Sequence, residues 1–199
     1  MKSESIAFGL AGIVFGLIAG WIIGTQQTPS RQPAAQATTA SSPAQANTRA
    51  AVVDEAKVTA LKSVAEREPA NAKPRSDLGN LYFDAERYDD AITWYEAALK
   101  LSPRDVDLST DLGVCYYYTN QPDKALVQFD KSLAIAPRHA KTLLNLGIVR
   151  AFGKQDLAGA TKAWEQVMAI DPNSPEGQAA KRALDTLKSA HGGEPKPGA

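Results

Sequence analysis

The chain has 199 residues with 22 basic and 22 acidic side chains, so its formal net charge is zero. From residue 51 onward, 19 basic residues stand against 21 acidic ones, which excludes the basic footprint of a nucleic-acid-binding protein. The single cysteine excludes an internal disulfide and a redox pair of thiols. Nucleophile motifs, phosphate loops and metal-ligand spacings are absent from the sequence, which therefore predicts a protein that is not an enzyme and needs no cofactor or metal.

The N-terminal region predicts a membrane anchor. A short flank (1–5) precedes nineteen uncharged residues (6–24), which as a helix would span roughly 28 Å, close to one hydrocarbon core. A cleaved signal peptide is the competing interpretation, but its apolar region would be shorter, and no small-x-small cleavage site follows Gly24. Because Lys2 precedes the span and no basic residue follows until Arg31, the positive-inside rule predicts a cytoplasmic N-terminus. We expect a single-pass protein of the bacterial inner membrane whose C-terminal domain is periplasmic.

Within this span, four glycines recur every four residues and would form one smooth strip along the helix. Such a strip lets a second membrane helix approach closely, which predicts homodimerisation or docking beside another membrane protein. The alternative interpretation is that these glycines have no packing role, because glycine is common in membrane helices. The glycine strip consists of Gly12, Gly16, Gly20 and Gly24.

The segments that flank the C-terminal domain lack apolar periodicity. Residues 25–50 are rich in Thr, Gln, Pro, Ser and Ala, and only Arg31 and Arg49 are charged. This composition predicts a disordered linker with a mean reach of roughly 25–30 Å. Residues 191–199 contain paired glycines and two prolines, and predict a disordered tail.

Between these segments the sequence repeats itself. Four prolines lie 34, 34 and 35 residues apart, and other residues recur at matching offsets. Self-similarity at this period predicts stacked helix–turn–helix units. The recurring residues are Pro69, Pro103, Pro137 and Pro172; Leu78-Gly79, Leu112-Gly113 and Leu146-Gly147; Ala91, Ala125 and Ala160; and Tyr95, Phe129 and Trp164.

The pattern inside one unit predicts two closely packed helices. Gly79 and Tyr82 share a face of the first helix, and Tyr95 lies on the inner face of the second. The small glycine would allow close approach, and the aromatic rings would fill the volume beside it. We therefore expect a leucine at the equivalent Gly113 to be strongly destabilising, and Ser109→Ala to be nearly neutral.

Two further helices are predicted to cover the ends of the repeat array. Residues 52–68 read as the second helix of an incomplete repeat, because Pro69 follows in register with the later prolines. Residues 174–190 begin with Ser174 and Pro175, a cap followed by a helix-starting proline, and carry an apolar stripe with a basic outer face. Repeat arrays need such polar-backed terminal helices for solubility.

On these residues the chain resembles the tetratricopeptide repeat family. The resemblance implies an all-α fold, an α-solenoid over residues 51–190 with repeats at 72–105, 106–139 and 140–173 between the two capping helices. The transmembrane helix and the disordered linker would precede it. The third repeat departs from the family pattern, because Arg150 stands where an aromatic is expected and an extra residue enters near Gly153–Gly159. We expect this insertion to alter the third turn.

The resemblance also implies a peptide-binding groove, since in this family the first helix of each repeat lines the concave surface. Some of these side chains would instead pack one repeat against the next. The implied groove residues are Lys73, Asp77, Asn80, Phe83, Asp107, Asp111, Val114, Tyr117, Tyr118, Lys141, Leu144, Ile148 and Phe152. The family's other concave positions correspond in this sequence to Ser76, Asp84, Thr110, Asn145 and Ala151.

The chemistry of the implied groove predicts its ligand. Asp77 and Asp111 would repel a carboxylate, so the groove does not fit the subgroup that clamps the C-termini of chaperones. Phe83 and Tyr117 are expected to be neighbours and to bind apolar or aromatic segments. Asp77, Asp107 and Asp111 are expected to favour basic residues beside those anchors.

The predicted function is a membrane-tethered scaffold that binds an extended peptide or a client protein. One alternative is an accessory protein of c-type cytochrome maturation that holds apocytochrome. Another is an import or fission receptor on the mitochondrial outer membrane, with its solenoid in the cytosol. Cys115 is interpreted as a small apolar filler, and His139 and His191 fall in a turn and the tail, without metal-ligand spacing.

Overall fold

The computed structural model describes residues 52–191, which form eight α-helices and contain no strand. The predicted anchor (6–24) with its glycine strip, and the predicted linker (25–50), lie outside the described residues. Within residues 52–191, every helix is too short or too polar to cross a membrane. The helices are α1 (Glu55–Arg67), α2 (Lys73–Asp84), α3 (Tyr88–Leu101), α4 (Val106–Tyr118), α5 (Pro122–Ile135), α6 (Ala140–Ile148), α7 (Leu157–Ile170) and α8 (Pro175–His191).

Consecutive helices pack against each other along the whole described region. The pairs α2/α3, α4/α5 and α6/α7 form three helical hairpins, with α1 against the first and α8 against the last. This arrangement confirms the predicted all-helical solenoid for the described residues.

Local sequence signals explain where several helices begin. The side chains of Asp54, Asp105 and Asp156 precede α1, α4 and α7, and each accepts a hydrogen bond from a backbone N–H in the first turn. The Ser174 hydroxyl likewise accepts from the Gly177 N–H at 3.0 Å, just before Pro175 begins α8. These bonds satisfy N–H groups that have no partner within the helix.

The three turns inside the hairpins share one backbone conformation. Their middle residues Glu86, Asn120 and Gln155 have φ of 59°, 59° and 56°, the left-handed region in which a helix commonly ends. In the first two turns, a backbone bond of 2.8 Å closes the loop from Arg87 N–H to Tyr82 C=O and from Gln121 N–H to Tyr116 C=O. The turns are therefore equivalent although their sequences differ.

The extra residue of the third repeat lies in the helix and not in the turn. After α6, residues Val149–Gly153 form a π-helical segment, and the Lys154 N–H donates to the Val149 C=O five residues earlier. A wider helical turn absorbs one residue and lets the chain reach Gln155 with the same left-handed conformation. The insertion thus alters the local geometry before the third turn, and the connection closes from the Asp156 N–H to the Arg150 C=O at 2.8 Å, one residue further apart than in the first two hairpins.

A glycine on the first helix of each hairpin contacts an aromatic ring on the second. A Cβ added at Gly79 would lie 2.3 Å from Tyr95 Cδ1, one at Gly113 would lie 2.5 Å from Phe129 Cε1, and one at Gly147 would lie 2.2 Å from Trp164 Nε1. Real side-chain carbons do not approach other atoms so closely, so only glycine fits while the rings keep these positions. The predicted close approach of the two helices is confirmed in all three repeats.

The rings of Tyr95 and Phe129 each belong to one of two apolar clusters in the core. The first joins α1, α2, α3 and α4, and the second joins α5, α6 and α7. Their fully buried aromatic side chains are Tyr95 and Phe129. Trp164 is also fully buried, and it donates its indole N–H to the Leu144 carbonyl at 3.1 Å. Because both clusters lie within residues 52–191, we expect residues 51–199 to fold without the first fifty residues.

Replacing Gly113 by leucine should strongly destabilise this fold. The new side chain would overlap Phe129, and overpacking of this kind costs about 1–3 kcal/mol and occasionally more. As a matched control, Val127→Leu changes a side chain that is 55% exposed on α5 and should alter stability by less than about 0.5 kcal/mol. Urea unfolding of residues 51–199, followed by circular dichroism, measures both; equal stabilities of the two variants would contradict the glycine–ring contact.

The structure corrects the expectation for Ser109→Ala. Ser109 is only 3% exposed, and its hydroxyl lies 2.7 Å from Gln128 Nε2 and 2.8 Å from Ser132 Oγ. Removing the hydroxyl leaves the buried Gln128 Nε2 without this acceptor, whereas Ser132 keeps its bond to the Gln128 carbonyl at 3.2 Å. An unsatisfied buried polar group of this kind costs about 1–3 kcal/mol. This network could not be predicted from the sequence, because Gln128 and Ser132 lie on another helix, 19 and 23 residues from Ser109.

Candidate functional site

The implied groove residues lie on α2, α4 and on α6 with its π-helical extension, and their exposure differs widely. Lys73, Asn80 and Asp107 are exposed, whereas Leu144 is 4% and Ile148 is 7% exposed. The half-buried members are Asp77, Phe83, Asp111, Val114, Tyr117, Tyr118, Lys141 and Phe152. The first two hairpins therefore supply most of the accessible surface.

Burial of α6 removes two predicted contacts from that surface. The helix packs against α4, α5, α7 and α8, so its side chains from Thr142 through Ile148 are buried. Leu144 and Ile148 are therefore packed among neighbouring helices, and little of either side chain is accessible to a ligand. The sequence could not show this, because an apolar residue on a first helix suits either role.

Four aromatic side chains form a continuous row, here called the aromatic ladder. The ring centroids of Phe83 and Tyr88 lie 5.5 Å apart in an edge-to-face arrangement. Tyr88 stacks on Tyr118 at 4.5 Å, and Tyr118 lies 6.0 Å from Tyr117. Such geometries are those that aromatic quadrupoles favour. Phe83 and Tyr117 thus belong to one row, joined through Tyr88 and Tyr118.

Sequence reasoning missed Tyr88, because it is the first residue of α3 and not part of a first helix. The equivalent residue of the second hairpin is Pro122, so the repeat pattern contains no signal for an aromatic at this position. Only the packing of α3 against the end of α4 shows that Tyr88 connects the ladder.

The ladder carries no charge at neutral pH. Burial raises the pKa of Tyr118 to about 12, with a further contribution from Tyr117. Burial also raises the pKa values of Tyr88 and Tyr117 above the ordinary range of a phenol. The ladder therefore offers flat apolar faces edged by neutral hydroxyl groups, which suits apolar and aromatic ligand groups.

The three carboxylates expected to attract basic ligands already have partners. Asp77 forms an ion pair with Lys73 one helical turn earlier, and Asp111 lies 2.7 Å from Lys141 across α4 and α6. Asp107 lies 3.3 Å from Nε2 of His139. Asp77 and Asp111 are therefore matched by lysines, and the expected preference of the groove for basic ligands loses its basis at these two positions. Asp107 contacts an imidazole instead, and its side chain is 72% exposed.

His139 belongs to a chain of polar contacts between α4 and α6. Its Nδ1 lies 2.7 Å from the Thr142 hydroxyl, which lies 2.6 Å from the Thr110 hydroxyl. The Thr110 hydroxyl donates to the Val106 carbonyl at 2.7 Å. The two threonines are fully buried, so this chain satisfies polar groups inside the contact between the second and third hairpins.

A groove of about 440 Å³ lies between α1 and α2. Ala60, Leu61 and Leu81 supply apolar surface, and Asn80 and Asp84 supply polar groups. Asn80 and Asp84 lie at positions that the family resemblance assigns to the concave face. The wall formed by α1 was not expected from the sequence, because no repeat position predicts which side of α1 contacts α2.

Two observations on the described residues concern the single thiol and the side chains that could bind a metal ion. Cys115 is fully buried, and burial raises the pKa of its thiol, which disfavours the reactive thiolate. Across residues 52–191, no group of three or more His, Cys, Asp or Glu side chains is placed to hold a metal ion.

Comparison with known proteins identifies the fold. Residues 79–119 match the family model described as TPR repeat, the tetratricopeptide repeat. This segment contains the end of the first hairpin's α2, all of α3 and α4, and therefore the whole aromatic ladder. No curated protein matches the chain.

Several solved structures share the arrangement. MamA is 19% identical, with a TM-score of 0.55, and the match covers 68% of this chain and 89% of MamA. The first TPR domain of Spaghetti (RPAP3), bound to the HSP90 peptide SRMEEVD, is 26% identical with a TM-score of 0.55, covering 61% of this chain and 95% of that domain. The Sgt2 TPR domain from Aspergillus fumigatus is 21% identical with a TM-score of 0.55, covering 64% and 86%. Together with the three equivalent hairpins, these matches show the fold of a tetratricopeptide repeat domain, and the family-model match over residues 79–119 supports a TPR protein.

Proposed function

We propose that this protein is an interaction scaffold that binds an extended segment of a client protein along α2, α4 and the aromatic ladder. The ladder is the observation that carries the proposal. Its rings are half-buried and line up over the first two hairpins, and aromatic side chains in such positions dominate many protein interfaces. That a TPR domain of RPAP3 was solved with a bound peptide supports the same mode of use.

The charges around the ladder favour a client that binds mainly through apolar groups. Asp77, Asp107 and Asp111 are engaged by Lys73, His139 and Lys141, so binding a charged ligand there would require breaking an existing pair. In particular, Lys141 is occupied by Asp111 and is not available to a ligand carboxylate. The acidic peptide SRMEEVD is therefore expected to bind poorly, in agreement with the sequence argument against chaperone C-termini.

Replacing Tyr117 by alanine should weaken client binding, because it removes one end of the ladder. Peptides selected from a random display library on the wild-type protein serve as ligands, and fluorescence anisotropy measures their affinities. We expect the affinity to fall by about tenfold or more, the range of an aromatic interface anchor. Val127→Ala, on the exposed face of α5, is the control and should leave the affinity unchanged.

Two results would contradict this proposal. The first is equal affinity of the wild-type and Tyr117→Ala proteins for the selected peptides. The second is preferential binding of the acidic peptide SRMEEVD. That result would mean that Lys141 leaves its ion pair with Asp111 and binds a carboxylate of the peptide.

We further propose that the scaffold is tethered to the bacterial inner membrane through residues 6–24, with the repeat domain in the periplasm. The uncharged stretch and the position of Lys2 support this orientation. Protease treatment of spheroplasts should degrade the repeat domain, whereas inside-out vesicles should protect it. The opposite pattern would place the domain in the cytoplasm, and would exclude a periplasmic client such as apocytochrome.

A further inference from the structure

The groove between α1 and α2 combines three kinds of surface that suit one type of side chain. Its floor is apolar, formed by Ala60 and Leu61 of α1 and by Leu81 of α2. Asp84 lies at the C-terminal end of α2, and Asn80 lies one helical turn before it. The groove therefore presents an apolar trough that ends beside a carboxylate.

Asp84 differs from the other carboxylates of this surface because it has no counterion. Within the described residues, no Lys, Arg or His lies within ion-pair distance of Asp84. The two other charged residues of the groove are engaged elsewhere, Asp77 by Lys73 and Lys57 by Asp54 at 3.4 Å. Desolvation by the surrounding protein raises the pKa of the Asp84 carboxyl, as expected for an acid whose charge is not compensated.

Asn80 is held in one orientation next to this carboxylate. The Tyr95 hydroxyl donates to Asn80 Oδ1 at 2.7 Å, and Tyr95 is itself fixed against Gly79 in the core. With its oxygen engaged, the exposed amide group of Asn80 has its two N–H donors available for a ligand carbonyl. The groove can thus recognise a peptide backbone beside a cationic side chain.

From this arrangement we infer that the α1–α2 groove binds a lysine or arginine side chain of the client segment, with Asp84 as its counterion. The inference rests on the proposed function and names a binding position within it. The aliphatic stem of the ligand would lie on Leu61 and Leu81, since long basic side chains bury their methylene groups and keep the charge at a polar edge. The charged end would form the charge-assisted hydrogen bond that Asp84 lacks.

A preference of the protein for basic residues in its client would thus come from a single carboxylate, that of Asp84. The sequence pattern assigned it to Asp77, Asp107 and Asp111, which are already paired. Asp84 also lies on α2, one residue after Phe83, the first ring of the aromatic ladder. A client would therefore place its basic residue close to the residue that contacts the ladder.

The test compares the full-length protein, purified in detergent, with its Asp84→Asn and Asp130→Asn variants. Asp84→Asn removes the charge with little change of shape, and Asp130→Asn makes the same change on the exposed side of α5. Random twelve-residue peptides are selected on each protein. We expect lysine and arginine to be enriched on the wild-type and Asp130→Asn proteins, and the enrichment to disappear on Asp84→Asn.

A selected peptide then locates the contact. Replacing its conserved lysine by norleucine, which keeps the aliphatic stem, should weaken binding to wild type by about tenfold, the scale of a charge-assisted contact. The same replacement should have no effect on Asp84→Asn, because the counterion is already absent. Carbodiimide, which joins an amine to an adjacent carboxylate without a spacer, should link the peptide lysine to Asp84.

The outcomes separate this inference from the proposed function. Selected peptides that need Tyr117 but show no basic enrichment, or that crosslink to another carboxylate, overturn the inference and leave the scaffold proposal intact. Failure to select any peptide that depends on Tyr117 overturns both. If basic peptides bind only after Arg31 and Arg49 are changed to Gln, the chain's own linker occupies the groove, and the assignment to a client is overturned.

Discussion

The contact between a glycine on one helix and an aromatic ring on the next is the constraint on which the rest of the structure depends. Gly79, Gly113 and Gly147 allow the helices of each hairpin to approach until the rings of Tyr95, Phe129 and Trp164 lie directly against the backbone. All three rings are fully buried, and Tyr95 and Phe129 each belong to one of the two core clusters. Because the same contact recurs three times, the hairpins share one shape, and stacking them places α2, α4 and α6 in equivalent positions.

The repeat pattern was sufficient to predict this architecture, because each repeated residue has one local packing role. The π-helical segment Val149–Gly153 could not be predicted, since an inserted residue can widen either a turn or a helix, and the choice depends on surrounding contacts. The burial of Leu144 and the position of Tyr88 were missed for a similar reason. Both depend on which helices meet across hairpins, whereas the period describes only the residues within one hairpin.

Electrostatics of the candidate surface depend on pairs that sequence alone does not reveal. Asp111 and Lys141 lie 30 positions apart in the chain, yet the stacking of α4 and α6 brings them to 2.7 Å. Two of the three carboxylates expected to make this surface acidic, Asp77 and Asp111, are therefore paired with lysines beside a neutral aromatic ladder. Asp84 is the exception among the carboxylates considered, and its position in the α1–α2 groove makes α1 part of the recognition surface as well as a cap.

Nuclear Overhauser effects between the three glycines and their aromatic partners test the central claim most directly. In isotopically labelled protein comprising residues 51–199, the account predicts cross-peaks from the Hα protons of Gly79, Gly113 and Gly147 to ring protons of Tyr95, Phe129 and Trp164, respectively. A Cβ added at each glycine would lie 2.3, 2.5 or 2.2 Å from the ring, so the Hα proton that points in the same direction lies well inside the range of this measurement. Absence of these cross-peaks in a folded, helical sample would contradict the proposed packing of the hairpins and the surface built upon it.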